Sequence, residues 1–229
     1  MHLDRPVVCL VTDRRRLVTS GDRFEVARDA LVRVVEEAVA AGVTLVQVRE
    51  PGLETSQLAD LVAAIVEVAR GSRTLVVVND RLDVALTSGA HGVHLRGDSI
   101  PPRAARSIAP PGFLVGRSVH HLEEARDHAP AVDYLIAGTV FPTPSKPAGT
   151  PLLGVGGLRS IAAAVRVPVL AIGGISIERI GQIAEAGAAG VAAVGVFIGR
   201  RTETGCGAAP LAGVVQPARR QFDSMKTAS

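Results

Sequence analysis

Flat side chains are nearly missing from this sequence. Its 229 residues include no tryptophan, one tyrosine and five phenylalanines. A chain so poor in aromatics is not built to stack bases, which argues against a nucleic-acid reader. Lysine is rarer still: Lys146 and Lys226 stand alone among 25 basic residues. The arginines are dispersed among 22 acidic residues, leaving a net charge of +3 and no polybasic block. That distribution again disfavours DNA or RNA. Two cysteines, Cys9 and Cys206, are too few for a disulfide scaffold and point to a reducing compartment. No apolar run reaches the roughly 18 residues that a membrane helix needs. The opening Met1 to Pro6 lacks the basic-then-apolar order of a secretory signal. The expectation is a cytoplasmic protein with no nucleic-acid or membrane partner; assembly into a homo-oligomer is left open.

What is present is aliphatic. Hydrophobic residues make up 47% of the chain, so a large core of Val, Leu, Ile and Ala is available. Short β-branched runs alternate with helical patterns. Strands are expected at 7–12, 43–49, 74–78, 92–95, 113–118, 133–137, 167–172 and 190–194. Helices are expected at 27–41, 55–70, 81–88, from about 101, and at 121–129, 154–165 and 176–186. Strands that are apolar throughout belong to parallel sheets covered on both faces. Eight such units in one chain predict an α/β fold, a single-domain (β/α)8 TIM barrel. An open doubly wound sheet is the alternative, but Thr12 to Arg15 lacks its first-turn glycine fingerprint. The barrel is expected over 1–205, with a C-terminal helix or flexible tail over 206–229.

In such a barrel the working face lies at the C-terminal ends of the strands. Polar residues collect there: Gln47 and Arg49, Asn79 and Asp80, His94 running into Asp98 and Ser99, Ser118 and His120. A proline-rich loop carries Thr143, Ser145 and Lys146, and Gly173-Gly174 and Val194-Gly195 follow the last two strands. Glycines at that position let backbone N–H groups approach a phosphate. Arg49 and Lys146 add positive charge, and Asp80 is a carboxylate suited to Mg2+. Taken singly, each has a plainer reading. Gly-Gly is ordinary turn chemistry, Asn79-Asp80 a helix cap, and His121 a surface helix opener. His91 and His94, three apart on a strand, fall on opposite faces and make no metal pair. Convergence on one face is what favours a site for a phosphorylated substrate.

Six segments occur in order: Gln47-Val48-Arg49-Glu50, Asn79-Asp80-Arg81, Gly92-Val93-His94-Leu95, Gly116-Arg117-Ser118-Val119-His120, Thr143-Pro144-Ser145-Lys146 and Ala171-Ile172-Gly173-Gly174-Ile175. Together they resemble the thiamine phosphate synthase family and its relatives, the TenI-type thiazole tautomerases. The resemblance runs from about residue 7 to 198. It implies a barrel enzyme of thiamine biosynthesis that joins a pyrimidine pyrophosphate to a thiazole phosphate and releases pyrophosphate. It places the pyrimidine pyrophosphate against Gln47 to Pro51, Asn79, Ser118 and Lys146, and the thiazole phosphate against Thr143, Ser145, Gly174, Val194 and Gly195. It assigns Mg2+ to Asp80, and transition-state charge to Arg49 and Lys146. In the tautomerases the position of His120 moves a proton on the thiazole. Two positions depart from the synthase pattern: Pro51 stands where a lysine is expected, and Ser99 where a second metal aspartate is expected. Asp98, one residue earlier, is the candidate second ligand. Gly195 replaces a phosphate-contacting serine. The alternatives are a tautomerase working through His120 and a non-catalytic phosphate-binding or regulatory barrel.

Overall fold

The first strand sets the pattern for the rest. In β1, Val7–Val11, every residue is buried, because each face of the strand meets a different apolar layer. Val7, Cys9 and Val11 point into the barrel, whereas Val8 and Leu10 point outward to the helices. The computed structural model describes residues 3–19, 21–147, 149–199, 201–202, 205–206 and 211–226. In it, β2 (Leu45–Val48), β3 (Leu75–Asn79), β4 (Gly92–Leu95), β5 (Leu114–Val119), β6 (Tyr134–Gly138), β7 (Val169–Ile172) and β8 (Gly190–Ala193) follow β1 around a closed barrel in sequence order. All eight contacts are parallel, and β8 closes on β1 with Val8 opposite Val191. The expected (β/α)8 barrel is the observed fold.

Helices α1 (Phe24–Ala40), α2 (Thr55–Ala69), α3 (Leu82–Thr87), α4 (Pro102–Ile108), α5 (Leu122–His128), α6 (Gly154–Ala164) and α7 (Ile180–Glu185) form the outer ring. Each buries one stripe; in α1 it is Ala27, Leu31, Val35 and Ala38, at helical spacing. Where one helix was expected over 176–186, Ser176 is extended and a 3-10 turn, Ile177–Arg179, precedes α7. Regular structure continues past β8. Arg201–Thr202 (β9) and Gly205–Cys206 (β10) form a small antiparallel pair. Helix α8, Ala212–Lys226, packs on α7 and β1, with Val214, Val215, Ala218 and Phe222 in the core. Arg219 Nη1 donates to the Gly42 carbonyl at 3.1 Å, tying α8 to the loop after α1. Residues 207–210 and 227–229 of the expected tail, and 203–204 before it, lie outside the described residues. No helix among the described residues is long and apolar enough to cross a membrane.

The interior is filled by a lower apolar layer and one large ring. Tyr134 on β6 is the register partner of Gly116 on the adjacent strand β5, and a Cβ at position 116 would stand 2.5 Å from Tyr134 Cε1. Glycine there makes room for the only tyrosine. Above that layer the inward positions turn polar, and the site begins.

Candidate active site

The strand period puts Gln47 and Arg49 on the inner face of β2, and Asn79 on the inner face of β3. Gln47 is buried, and its Nε2 donates to Asn79 Oδ1 at 2.9 Å. That bond leaves the Gln47 oxygen and the Asn79 amide N–H groups without a partner among the described residues, a mixed donor–acceptor edge at the mouth. The backbone of Arg49 is held by Thr12 Oγ1 at 2.9 Å, and its side chain carries no hydrogen bond or ion pair to another described residue.

Behind Arg49 lies a buried ion pair. The Glu50 carboxylate accepts from the Arg14 backbone N–H at 3.1 and 3.2 Å and from Arg14 Nη1 at 2.9 Å. Burial raises the Glu50 carboxyl above its ordinary range, and bonds from Thr12 and Arg14 oppose the rise. A raised carboxyl stabilises the fold fully below its unfolded value, near 4.5, and loses that contribution as pH rises through the folded value. Arg14→Ala therefore leaves an uncompensated buried carboxylate at neutral pH. The expected loss in urea unfolding at pH 7 is about 3 kcal/mol. It should be smaller at pH 5, where Glu50 takes up a proton more readily. Equal losses at pH 5 and pH 8 would show that Glu50 is not the group Arg14 serves.

Arg14 opens a three-arginine 3-10 turn, Arg14–Arg16, after β1. Arg15 Nη2 donates to the Pro51 carbonyl at 2.8 Å, so a guanidinium stands beside the position where a lysine was expected. Arg16 Nη1 donates to the Ile198 carbonyl at 3.1 Å and lies 3.5 Å from where a Cβ on Gly195 would be. The turn thus spans from the end of β2 to the end of β8. Position along the chain gave no hint that these side chains reach the site.

The metal candidates are arranged as follows. Asp80 follows β3 in a left-handed backbone conformation (φ 66°), unusual for a non-glycine residue. Its backbone N–H donates to the His94 carbonyl at 2.8 Å, and its Oδ1 accepts from the Ser99 hydroxyl. Arg96 lies between the two carboxylates: Nη2 is 2.6 Å from Asp98 Oδ2, and Nη1 is 3.9 Å from Asp80 Oδ2. Ser99 is therefore bonded to Asp80, whereas Asp98 is exposed and engaged by Arg96. Among the described residues no group of three His, Cys, Asp or Glu side chains gathers for a metal. The donor set at Asp80 is still one of hard oxygens, a carboxylate beside a hydroxyl. That suits Mg2+, which commonly takes one or two protein carboxylates and completes its shell with water and substrate phosphate.

The loop after β6 is anchored at the opposite side of the mouth. Val140 N–H donates to the Ile172 carbonyl at 2.9 Å, and Phe141 N–H to the Gly173 carbonyl at 3.1 Å. Arg179 lies 4.7 Å over the Phe141 ring, and its Nη1 donates to the Gly174 carbonyl at 2.6 Å. A tight turn follows, with Lys146 N–H on the Thr143 carbonyl at 3.2 Å and Thr143 Oγ1 3.1 Å from Ser145 Oγ. The Lys146 side chain is exposed and has no partner among the described residues. Gly173 and Gly174 have φ of 99° and 62°. Val194 closes the β8 turn by accepting from Phe197 and Ile198 N–H at 3.0 and 2.8 Å, leaving Gly195 exposed.

On β5, Ser118 is half-buried, with Oγ 2.8 Å from His94 Nε2. His94 Nδ1 is 3.2 Å from the Tyr134 hydroxyl. Burial, with the charge of Arg117 adding to it, pushes the His94 imidazole down to about 3, so it is neutral at pH 7. His120 is exposed; its backbone N–H donates to Glu124 Oε2 at 2.6 Å, and its Nδ1 is 3.4 Å from the same oxygen. Its ring also faces the β4 loop, 3.8 Å from where a Cβ on Gly97 would be. His91 lies at the other end of β4, taking the Val76 N–H at 3.0 Å, and has no part in the site.

The fold and the residues at its mouth define a (β/α)8-barrel enzyme. Residues 15–197 match the thiamine monophosphate synthase family, and the chain belongs to that family. It is similar to a thiamine-phosphate synthase of Methanoculleus marisnigri, 40% identical over 163 residues, 71% of this chain and 77% of that one. A second relative of that name, from Roseiflexus castenholzii, is 36% identical over 196 residues, 85% of this chain and 82% of that one. Among solved structures, thiamine phosphate pyrophosphorylase from Pyrococcus furiosus superposes with a TM-score of 0.77 at 30% identity, covering 95% of this chain and 96% of that one.

Proposed function

We propose that the protein couples hydroxymethylpyrimidine pyrophosphate to thiazole phosphate, releasing pyrophosphate. The observation that carries this reading is the meeting of two polar groups at one barrel mouth. Arg49, Asn79, Asp80 and Ser118 end strands β2, β3 and β5, and the turn bearing Thr143, Ser145 and Lys146 is clamped to the Gly173-Gly174 end of β7. The strand-end group together with Lys146 suits a pyrimidine pyrophosphate, and Thr143, Ser145 and the glycine end of β7 suit a thiazole phosphate. Membership of the synthase family supports the coupling reading.

In the reaction, the bond between the pyrimidine methylene carbon and the pyrophosphate oxygen breaks, and its electron pair leaves with pyrophosphate. The thiazole nitrogen lone pair forms the new carbon–nitrogen bond. Arg49 and Lys146 offset the negative charge growing on the leaving group, with Arg15 adding a cation beside Pro51. Gln47 and Asn79 present their amide edge to the pyrimidine, and Ser118 offers a hydroxyl. Thr143, Ser145 and the backbone at Gly174, Val194 and Gly195 hold the thiazole phosphate, so that both reactants stand side by side. Asp80 would hold Mg2+, with Ser99 beside it and substrate oxygens completing the shell; Asp98 is available as a second carboxylate once freed from Arg96. Bound there, Mg2+ would neutralise pyrophosphate charge.

Two results test the assignment of roles. Chelation should stop pyrophosphate release, and Asp80→Asn should raise the Mg2+ concentration needed for half-maximal rate. An unchanged Mg2+ response in the variant would remove Asp80 from the metal site. His120→Ala should leave coupling nearly intact, because its ring is exposed and spent on Glu124. A tautomerase would instead lose most of its activity with that histidine. Abolished coupling in His120→Ala would therefore show that His120 takes part directly.

A further inference from the structure

We propose that Tyr134, acting through His94, fixes Ser118 as a hydrogen-bond donor towards an acceptor atom of the bound pyrimidine pyrophosphate. The inference rests on the coupling reading for the identity of the ligand, and on this chain's interior for the direction of the bond.

The three side chains form one column inside the barrel. Tyr134 is fully buried, His94 is 1% exposed, and Ser118 reaches the mouth. Tyr134 holds its place because Gly116, its register partner on β5, has no side chain. A buried phenolic O–H needs an acceptor, and leaving it without one is costly. Among the described residues the partner of the Tyr134 hydroxyl is His94 Nδ1, at 3.2 Å. The hydroxyl therefore donates, and Nδ1 accepts with its lone pair. A neutral imidazole carries one proton, so that proton sits on Nε2. Nε2–H then donates to Ser118 Oγ over 2.8 Å. Burial and the Arg117 charge keep the ring neutral at working pH, so a second proton does not blur the assignment.

The consequence lies at Ser118. With His94 occupying an acceptor position of its oxygen, the hydroxyl hydrogen has no partner among the described residues and turns to the mouth. A serine without this column could rotate and serve as donor or acceptor equally. Here it offers a donor, which matches a ring nitrogen lone pair or a pyrophosphate oxygen. Tyr134 and His94 touch no substrate; they are positioning residues.

The decisive reading is the nitrogen spectrum of His94 in the full chain without ligand at pH 7. The proton should sit on Nε2, with Nδ1 resonating as a bare acceptor. In Tyr134→Phe the proton should redistribute towards Nδ1, because the phenol no longer holds that lone pair. The dissociation constant for hydroxymethylpyrimidine pyrophosphate should weaken about five- to tenfold, the cost of one hydrogen bond. Ser118→Ala should weaken it similarly, and the double variant should be no worse than Ser118→Ala alone. Inorganic pyrophosphate, run in parallel, tells the two acceptors apart: an equal loss assigns the bond to a pyrophosphate oxygen, and no loss assigns it to the ring. A proton on Nδ1 in the unaltered protein overturns the proposal, and so does a Tyr134→Phe tautomer identical to that of the parent. The spectrum of the parent needs no variant, so a folding defect in Tyr134→Phe does not remove the test. Because it is read without substrate, it stands apart from any failure of the coupling reading.

Discussion

Lys146→Ala is expected to lower the rate of pyrophosphate release at saturating substrates by about 100-fold or more, the usual cost of losing one preorganised charge-stabilising donor. Three observations motivate that size. Lys146 is one of two lysines in the chain, and the other, Lys226, lies in α8. Its side chain is uncommitted among the described residues, and so is available to a substrate. The backbone beneath it is not free: the turn closes from Lys146 N–H to the Thr143 carbonyl, and the loop is fastened to β7 through Phe141 and Gly173. A cation on a fixed turn is already positioned when charge develops, which is where electrostatic catalysis gains its advantage. Lys146→Arg should recover part of the rate. Folding should be unaffected, because the side chain supports nothing. A variant turning over at the parent rate would place Lys146 on the surface only.

Gly174→Val should cost both turnover and stability. At φ 62° a side chain is strained before any contact is considered. The added Cβ would also meet the Pro142 carbonyl and stand 2.8 Å from Phe141 Cβ. Backbone and a packed ring cannot yield cheaply, so the loop carrying Thr143, Ser145 and Lys146 must shift. The backbone conformation alone costs about 1–2 kcal/mol. A displacement of about 1 Å at a catalytic group can remove about 100-fold in rate. Gly156→Ala in α6 is the control: nothing lies within 4 Å of its added Cβ, so turnover should not change. Turnover of Gly174→Val equal to that of the control would mean that the β7 end does not position the loop.

The barrel was legible because its signal is repeated eight times. Each strand is a short apolar run and each helix an amphipathic one, so an error of a residue or two at an end, as at Thr12 or Gly138, leaves the topology unchanged. The polar residues at strand ends were legible for the same reason, since the period of two fixes which of Gln47, Val48 and Arg49 face inward. What escaped depends on contacts between distant segments. The Arg14–Glu50 pair spans 36 residues, and nothing local in either segment announces it. The column of Ser118, His94 and Tyr134 needs the register of β4 against β5 and of β5 against β6. His94 was legible as a polar residue near the mouth, but its partners on β5 and β6 were not. In the β4 loop, the resemblance to the synthase pattern put a serine at the second metal position and left Asp98, one residue earlier, as the stand-in. The fold instead turns Ser99 to Asp80 and gives Asp98 to Arg96, a choice made by loop geometry. Pro51 looked like a missing cation because Arg15 approaches it from another strand end.

The proposed reaction is a bond-forming transfer between two phosphorylated partners, and its products can be followed together. Purified protein is given hydroxymethylpyrimidine pyrophosphate, thiazole phosphate and Mg2+, and pyrophosphate is followed with time. Release is expected only when both organic substrates are present, with thiamine phosphate formed in equal amount. Pyrophosphate released without thiazole phosphate, or no release while both substrates bind, would contradict it.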